Sequence, residues 1–192
     1  MSMRKVFGMK KKSFFTISKI ALLAMMAAIV CVVSFYRFPL LGSKVHFANA
    51  MCLLSGLLFG PMGGGIAAGL GSAISDISYG YELDQIIVTF VTKFLMAAIC
   101  AWIAQPKKEV RRGRIVLGCI LGALGYVALY MLKTFVYQAF VYGFPMQTVW
   151  ATMLGKLPAS LLNAVVAIIA APIFYAALRP ALKRAGMLDK MQ

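Results

Sequence analysis

Acidic side chains are scarce in this sequence: its 192 residues include five Asp and Glu against 20 Lys and Arg, a formal net charge of +15. Charged residues make up 13% of the chain and hydrophobic residues 62%. Soluble domains contain about 25% charged and about 45–50% apolar residues. So small a polar fraction cannot cover the surface of a water-soluble fold. The composition therefore predicts an integral membrane protein.

Histidine and clustered cysteine are also lacking. The only histidine is His46, and four cysteines stand singly in apolar stretches, at Cys31, Cys52, Cys100 and Cys119. A structural zinc site needs about four clustered ligands, and a disulfide framework is typical of short secreted chains. The Walker GxxxxGK[ST] and HExxH motifs are missing, and GLGSA does not match a nucleophile elbow. We therefore expect no enzyme activity, no metal and no cofactor.

The basic residues are concentrated in patches between long apolar segments. Short basic clusters of this kind are typical of cytoplasmic loops in membrane proteins. A groove for single-stranded nucleic acid would interleave them with exposed aromatic residues, so we expect no nucleic-acid partner. The patches are the N-terminal segment (Arg4, Lys5, Lys10, Lys11, Lys12, Lys19), one loop (Lys107, Lys108, Arg111, Arg112, Arg114) and the C-terminal end (Arg179, Lys183, Arg184, Lys190).

Six apolar segments are predicted as membrane helices, since a crossing takes about 20 residues. The second is short, and Gly60-Pro61 separates it from the third. Six crossings place all three basic patches on one side, which the positive-inside rule makes cytoplasmic. The fold class is therefore all-α, a six-helix membrane bundle with both termini cytoplasmic. The predicted helices span 19–36, 45–59, 62–79, 83–104, 115–142 and 147–178, within a basic segment 1–18, a membrane domain 19–180 and a basic tail 181–192.

Three lysines lie inside predicted helices: Lys93, Lys133 and Lys156. Burying a charge in lipid costs about 2.5–3.5 kcal/mol even on insertion scales. Each lysine lies about nine or ten residues from the outer end of its helix, which is roughly 14 Å at 1.5 Å per residue. Three separate helices thus carry an ammonium group at one depth. The alternative is that each lysine extends to the membrane surface or pairs internally, for example with Asp76.

Other polar and aromatic residues follow the lysines at helical spacing. Five helix faces are polar at this spacing, and each comes from a different predicted helix. They are Tyr126, Tyr130, Lys133 and Tyr137; Lys156, Ser160 and Asn163; Gln85, Thr89 and Lys93; Ser72, Asp76 and Tyr79 near the outer end of the third helix; and His46 and Asn49 at the outer end of the second. Because lipid cannot hydrogen-bond polar groups, these faces should point into the bundle. We expect a tyrosine-lined cavity open to the outside, whose excess of lysines favours a small ligand with an anionic or strongly accepting group.

Four stretches of the chain resemble the substrate-binding (S) components of energy-coupling-factor vitamin transporters. The resemblance covers nearly the whole chain, and the segment from Asn49 through LFGPMGG to Asp76 is its most specific part. The stretches are the Ala24-x-x-x-Ala28 pattern of the first helix, FANAMCLLSGLLFGPMGGGIAAGLGSAISDI (47–77), VTKFLMAAI (91–99) and LPASLLNAVVAIIAAPIFYAAL (157–178).

The resemblance implies a high-affinity binder of a water-soluble vitamin or precursor in the bacterial plasma membrane. Its partners would be a transmembrane coupling (T) subunit, contacted at Ala24 and Ala28, and two cytoplasmic ATPases. The first outer loop would close over the substrate, and the bundle would then topple in the membrane. The implied substrates are pyridoxine-type or hydroxymethylpyrimidine-type rings, and the lysines also suit an acid such as pantothenate or a phosphorylated ring. Lys93 lies in a resembling stretch, so it is a candidate scaffold residue.

Two other classes of function stay open at this point. One is a stand-alone carrier or channel that works without ATPase partners and would transport as a lone chain in liposomes. The other is an intramembrane enzyme or an assembly factor, for which the sequence offers no evident catalytic base.

Overall fold

The structure is a computed structural model that describes residues 17–36, 38–40, 43–104 and 111–187. Within these ranges it is a helical bundle with one short β-hairpin. Each of its five helices is long and apolar enough to cross a membrane, α4 together with a π-helical turn at its end. The elements are α1 (Ile17–Phe35), β1 (Phe38–Leu40), β2 (Ser43–Val45), α2 (Ala48–Ser78), α3 (Leu83–Ala104), α4 (Arg112–Val136), the π-helical turn (Tyr137–Val141) and α5 (Met146–Arg184).

Helix α2 is broken at Gly60, whose backbone adopts φ 76° and ψ −177°, a region that glycine enters without steric cost. Cys52 Sγ lies 3.8 Å from Ser72 Oγ, although the 20 residues between them would span about 30 Å in a straight helix. Ser55 Oγ also donates a hydrogen bond to the Gly64 carbonyl oxygen at 2.9 Å. The two arms of α2, residues 48–59 and 61–78, therefore run back along each other.

The arms of α2 form the centre of the bundle. In α2, 78% of the most apolar stretch is buried, against 28–39% in the other four spanning helices. Small residues make this packing possible because they let backbones approach closely in lipid. A β-carbon on Gly56 would collide with the Ala97 carbonyl oxygen of α3, and one on Gly71 with the Ala27 carbonyl oxygen of α1.

Helices α3 and α4 pack by the same means. A β-carbon on Gly118 would lie 2.6 Å from the Cys100 carbonyl oxygen. At Gly122 the corresponding distance to the Met96 carbonyl oxygen is 2.8 Å. The small-residue spacing of the sequence thus marks real close approaches in this fold. The outward faces of α1, α3, α4 and α5 carry exposed apolar side chains suited to lipid.

The segment between α1 and α2 departs from the prediction. It contains the antiparallel hairpin of β1 and β2, in which Phe38 pairs with Val45 and Leu40 with Ser43. The sequence-based boundary of the second helix at residue 45 is therefore wrong, and the helix begins at Ala48. The reason is that residues 43–45 pair as a strand and β2 packs against α5.

Much of the predicted basic surface lies outside the described residues. This applies to residues 1–16, which make up most of the predicted basic segment 1–18. It also applies to Lys107 and Lys108 in the loop and to Lys190 in the tail 181–192. Helix α5 continues beyond residue 180 to Arg184, so part of the predicted tail is helical.

Candidate binding cavity

A cavity of about 560 Å³ lies between the helices. It lies among α1–α5 and the hairpin segment, and polar and aromatic side chains dominate its wall. The predicted binding residues that line it are Asp76, Lys93, Tyr130, Lys133, Tyr137, Lys156 and Asn163. Side chains from four different helices thus converge on one space. Asn49 is buried beside Lys93 and does not line the cavity itself.

Lys93 lines the cavity, and neutral partners hold its side chain. Its side chain is buried, and Nζ donates a hydrogen bond to Asn49 Oδ1. The same ammonium group lies 3.8 Å from the centre of the Tyr126 ring, close enough for a cation–π interaction. Asn49 comes from α2, Lys93 from α3 and Tyr126 from α4. This contact therefore joins three helices.

Helix α4 supplies an aromatic wall. The rings of Tyr126 and Tyr130 stack with their centroids 6.2 Å apart and their planes inclined by 23°. One helical turn further, Thr134 Oγ1 donates to the Tyr130 carbonyl oxygen at 2.9 Å. Tyr137 follows in the π-helical turn, and its hydroxyl donates to Asp84 Oδ2 of α3. The rings of Tyr126, Tyr130 and Tyr137 thus form an aromatic side of the cavity wall.

Lys133 and Lys156 face the cavity from α4 and α5, and both are half-buried. Lys133 Nζ lies 5.6 Å from the centre of the Tyr137 ring. Within the described residues, neither ammonium group makes a hydrogen bond or an ion pair. Two ammonium groups from different helices therefore line the same cavity, and their N–H groups have no hydrogen-bond acceptor among the described residues.

Helix α5 connects the cavity to the hairpin segment. Asn163 Oδ1 accepts a hydrogen bond from the His46 backbone amide at 2.9 Å. One turn earlier, Ser160 Oγ donates to the Lys156 carbonyl oxygen at 3.0 Å. His46 and Pro39 both contribute to the cavity wall. The segment between α1 and α2 is therefore fastened beside the cavity through Asn163.

Several lining residues were not predicted as binding residues. Thr134 and Gln138 follow Tyr130 and Lys133 at helical spacing, so extending that pattern would have found them. Tyr142 could not be predicted from α-helical spacing. Its backbone amide donates a hydrogen bond to the Tyr137 carbonyl oxygen in the π-helical turn, which changes the direction of the side chains that follow. The other lining residues without a sequence prediction are Ser34, Pro39, Tyr81 and Thr92, whereas His46, Ser72, Gln85, Thr89, Tyr126 and Ser160 lie on the polar faces that the sequence already predicted for the cavity.

The predicted partner-docking residues lie away from the cavity. Ala24 and Ala28 are exposed on one face of α1. Ala27 and Val30 on the other face are buried against the bundle. Both alanines are therefore available at the outer surface of the helix.

Comparison with known proteins gives both a family and a fold. The family model described as "ECF-type riboflavin transporter, S component" matches residues 14–180. A solved chain titled "Structure and mechanism of the S component of a bacterial ECF transporter" has the same fold, with a TM-score of 0.64 and 17% identity. That alignment covers 86% of this chain and 97% of the solved one.

A curated relative from Pyrococcus woesei, described as "Uncharacterized protein in gap 3'region", is 38% identical over 98 residues. The match covers 48% of this chain and 64% of the relative's length. That relative's description names no activity. The family model, in contrast, spans most of the helical bundle and includes the whole cavity wall. The chain belongs to the family of ECF-type riboflavin transporter S components.

Proposed function

We propose that this protein is the high-affinity, membrane-embedded binding subunit of an ECF-type importer for a water-soluble vitamin with a flat ring, with riboflavin as the first candidate. The observation that carries the proposal is the tyrosine-lined cavity inside the family-matched region. Its volume falls within the range of about 300–1,000 Å³ that is usual for small-molecule sites. The family consists of transporter components rather than enzymes. Riboflavin is the first candidate because the description of the family names it.

The cavity residues divide into three proposed roles. Tyr130 and Tyr137 would contact the ring of the substrate, because aromatic faces prefer offset stacking. Lys133, Lys156, Asp76 and Asn163 would bind its polar groups, which donate and accept hydrogen bonds. Lys93, already hydrogen-bonded to Asn49, would shape the wall of the cavity.

The substrate proposal differs in emphasis from the sequence-based one. Pyridoxine-type and hydroxymethylpyrimidine-type rings and pantothenate remain candidates, because lysine and tyrosine side chains suit each of them chemically. The family name and the row of tyrosines on α4 and the π-helical turn support riboflavin as the first candidate among them. Its three fused rings offer the largest aromatic surface for that row.

A six-crossing topology with both termini cytoplasmic is part of this proposal. The reversal at Gly60 supports it, because the two arms of α2 run in opposite directions. The first arm is only about 18 Å long, shorter than the hydrocarbon core of about 30 Å, so it would cross incompletely. Reporter fusions at the two termini test the orientation: both should report the cytoplasm, and an external signal from either would contradict it.

The proposed partners are a T subunit and two cytoplasmic ATPases in the bacterial plasma membrane. The exposed face of α1 with Ala24 and Ala28 would contact the T subunit. Small side chains there permit two helices to approach and slide. ATP hydrolysis in the partners would then drive release of the vitamin into the cell.

Binding by the lone subunit is the decisive experiment. The purified chain in detergent would be melted with riboflavin, pyridoxine, hydroxymethylpyrimidine and pantothenate in turn. A ligand at 100 times its dissociation constant adds about 2.7 kcal/mol to the stability of the folded state, a readily measured shift. Riboflavin should give the largest shift. If another vitamin gives the largest shift in melting temperature, that vitamin is the substrate instead of riboflavin. If none of the four gives a shift, the proposal is overturned.

A matched pair of variants ties that shift to the cavity. Tyr130→Ala removes one ring of the stacked pair and should weaken riboflavin binding by about tenfold, since aromatic pairs add about 0.5–1.5 kcal/mol beyond area burial. Trp102→Ala removes an aromatic ring that is 71% exposed and does not line the cavity, so affinity should stay unchanged. Equal effects of the two variants would contradict the assignment of the cavity.

A further inference from the structure

We infer that the cavity has an anion subsite between Lys133 and Lys156 and therefore prefers the phosphorylated form of its ring vitamin to the unphosphorylated form. This inference rests on the proposed function, because it concerns the same cavity. It deepens that function by naming a chemical class, the phosphate monoester of a flat-ring vitamin. Nothing in the name of the family specifies such a group.

The three cavity lysines are not equivalent. Lys93 has its ammonium group hydrogen-bonded to Asn49 and placed over the Tyr126 ring, so its charge is compensated from within the bundle. Lys133 makes no hydrogen bond with a residue that the structure describes; its ammonium group lies 5.6 Å from the centre of the Tyr137 ring and within electrostatic range of Asp76 and Asp84. Lys156 makes no hydrogen bond, ion pair or ring contact with any residue that the structure describes. The last two therefore retain their capacity to donate to a ligand.

The acids near these lysines do not balance them. Among the residues that the structure describes, Asp76 is the only acid of the cavity wall, against three lysines of the same wall. Asp84, close to Lys133, accepts a hydrogen bond from Tyr137 and is not part of the wall. The wall thus carries a net charge of +2 when all four groups are ionised. Such an excess is costly inside a membrane protein and marks a functional site.

A phosphate group fits this excess better than a neutral ligand does. It brings negative charge and several acceptor oxygens to two donors that come from different helices. Hydrogen bonds between ionised partners are about twice as strong as neutral ones, and lysine binds phosphate as a point charge. The tyrosines of α4 are not needed to bind the phosphate and can contact the ring. The cavity therefore offers both aromatic rings and two ammonium groups to a single ligand.

The test compares paired ligands on the purified full chain in detergent. Dissociation constants would be measured for riboflavin and riboflavin 5′-phosphate, and for pyridoxine and pyridoxine 5′-phosphate, with inorganic phosphate alone as a further probe. We expect the phosphorylated member of the pair that binds to be held about tenfold more tightly, the effect of one hydrogen bond to a charged group. In Lys133→Gln and Lys156→Gln the ratio of the two constants should fall toward one.

The controls keep the two levels of the proposal apart. Lys183→Gln removes the same charge from an exposed position near the end of α5, outside the cavity, and should leave the ratio as it is. Lys156→Arg should restore much of the preference, because it keeps the charge. If the unphosphorylated member binds as tightly as its partner, the anion subsite is wrong and the vitamin-binding function stands. If no member of either pair binds, the inference and the flat-ring proposal beneath it both fall.

Discussion

The ammonium group of Lys93 in α3 donates a hydrogen bond to the side-chain oxygen of Asn49 in α2. Both side chains are buried, at 4% and 1% exposure. A charge in this position depends on its few partners, because neither water nor lipid can replace them. The pair therefore links the first arm of α2 to α3, whose Lys93 side chain lines the cavity.

The first prediction concerns this pair. Asn49→Leu removes the acceptor and leaves the buried charge, so it should lower stability by about 1.5–3 kcal/mol, the usual range for hydrogen bonds to charged groups. Adding Lys93→Met to it should restore part of the loss, because the stranded charge disappears. Thermal unfolding in detergent measures both effects. Lys183→Met, at an exposed position, is the control and should melt like the parent.

Additive losses of stability in the double variant would contradict the interaction between Asn49 and Lys93. Residues in contact normally show interaction energies of about 0.5–3 kcal/mol in a double-mutant cycle. If the losses from Asn49→Leu and Lys93→Met simply add, the two side chains do not depend on each other.

The second prediction concerns the contact between α3 and α4. Gly122→Ala places a β-carbon 2.8 Å from the Met96 carbonyl oxygen and should cost about 1–3 kcal/mol, as overpacking does. Gly125→Ala, three residues on, meets only the end of Ile99 at 3.4 Å and should be neutral or stabilising. Melting temperatures of the two variants decide the matter. A similar gain in both would show that helix propensity, not close packing, governs these positions.

The third prediction concerns the reversal in α2. Gly60→Ala forces an L-residue into φ 76° and ψ −177°, a region essentially restricted to glycine, and should cost about 1–3 kcal/mol. Gly155→Ala is the matched control, because Gly155 lies inside α5 with nothing within 4 Å of an added β-carbon. The control should gain slightly in stability, since alanine favours a helix more than glycine. An unchanged melting point for Gly60→Ala would mean that the turn is not constrained.

The fourth prediction concerns the exposed face of α1. Ala24→Leu and Ala28→Leu should abolish vitamin uptake by cells while leaving binding by the purified chain intact, because the added bulk blocks a partner helix and not the cavity. Ala151→Leu makes the same change at an exposed position of α5 and should leave uptake intact. Loss of binding in the α1 variants would instead indicate damage to the fold.

Much of the helical fold followed from local signals. The span 83–104 matches α3 at both ends, because an apolar run ends there before Pro106 and the basic loop. The break at Gly60-Pro61 was visible for the same kind of reason. The β-hairpin was not, since its three-residue strands are too short to show alternation. Its pairing and its contact with α5 are set by distant residues.

The cavity was predictable where helical spacing decides, and not where distant contacts do. Lys133, Tyr130 and Tyr137 share a face of α4 by spacing alone, and the structure places that face on the cavity. The partnership of Lys93 with Asn49 joins residues 44 positions apart, which no local pattern reveals. Whether any of these side chains binds a ligand stays a prediction, and the variants above test it.

The central position of α2 separates the residues that hold the helices together from most residues of the cavity wall. Its two arms carry the tightest backbone contacts, yet of the cavity wall they supply only Ser72 and Asp76. Most of the remaining wall comes from α3, α4 and α5, whose outer faces point to lipid. Relatives can therefore exchange side chains on the inner faces of these helices and acquire new ligands around an unaltered core. Grafting those faces between family members is a direct route to redesigned vitamin selectivity.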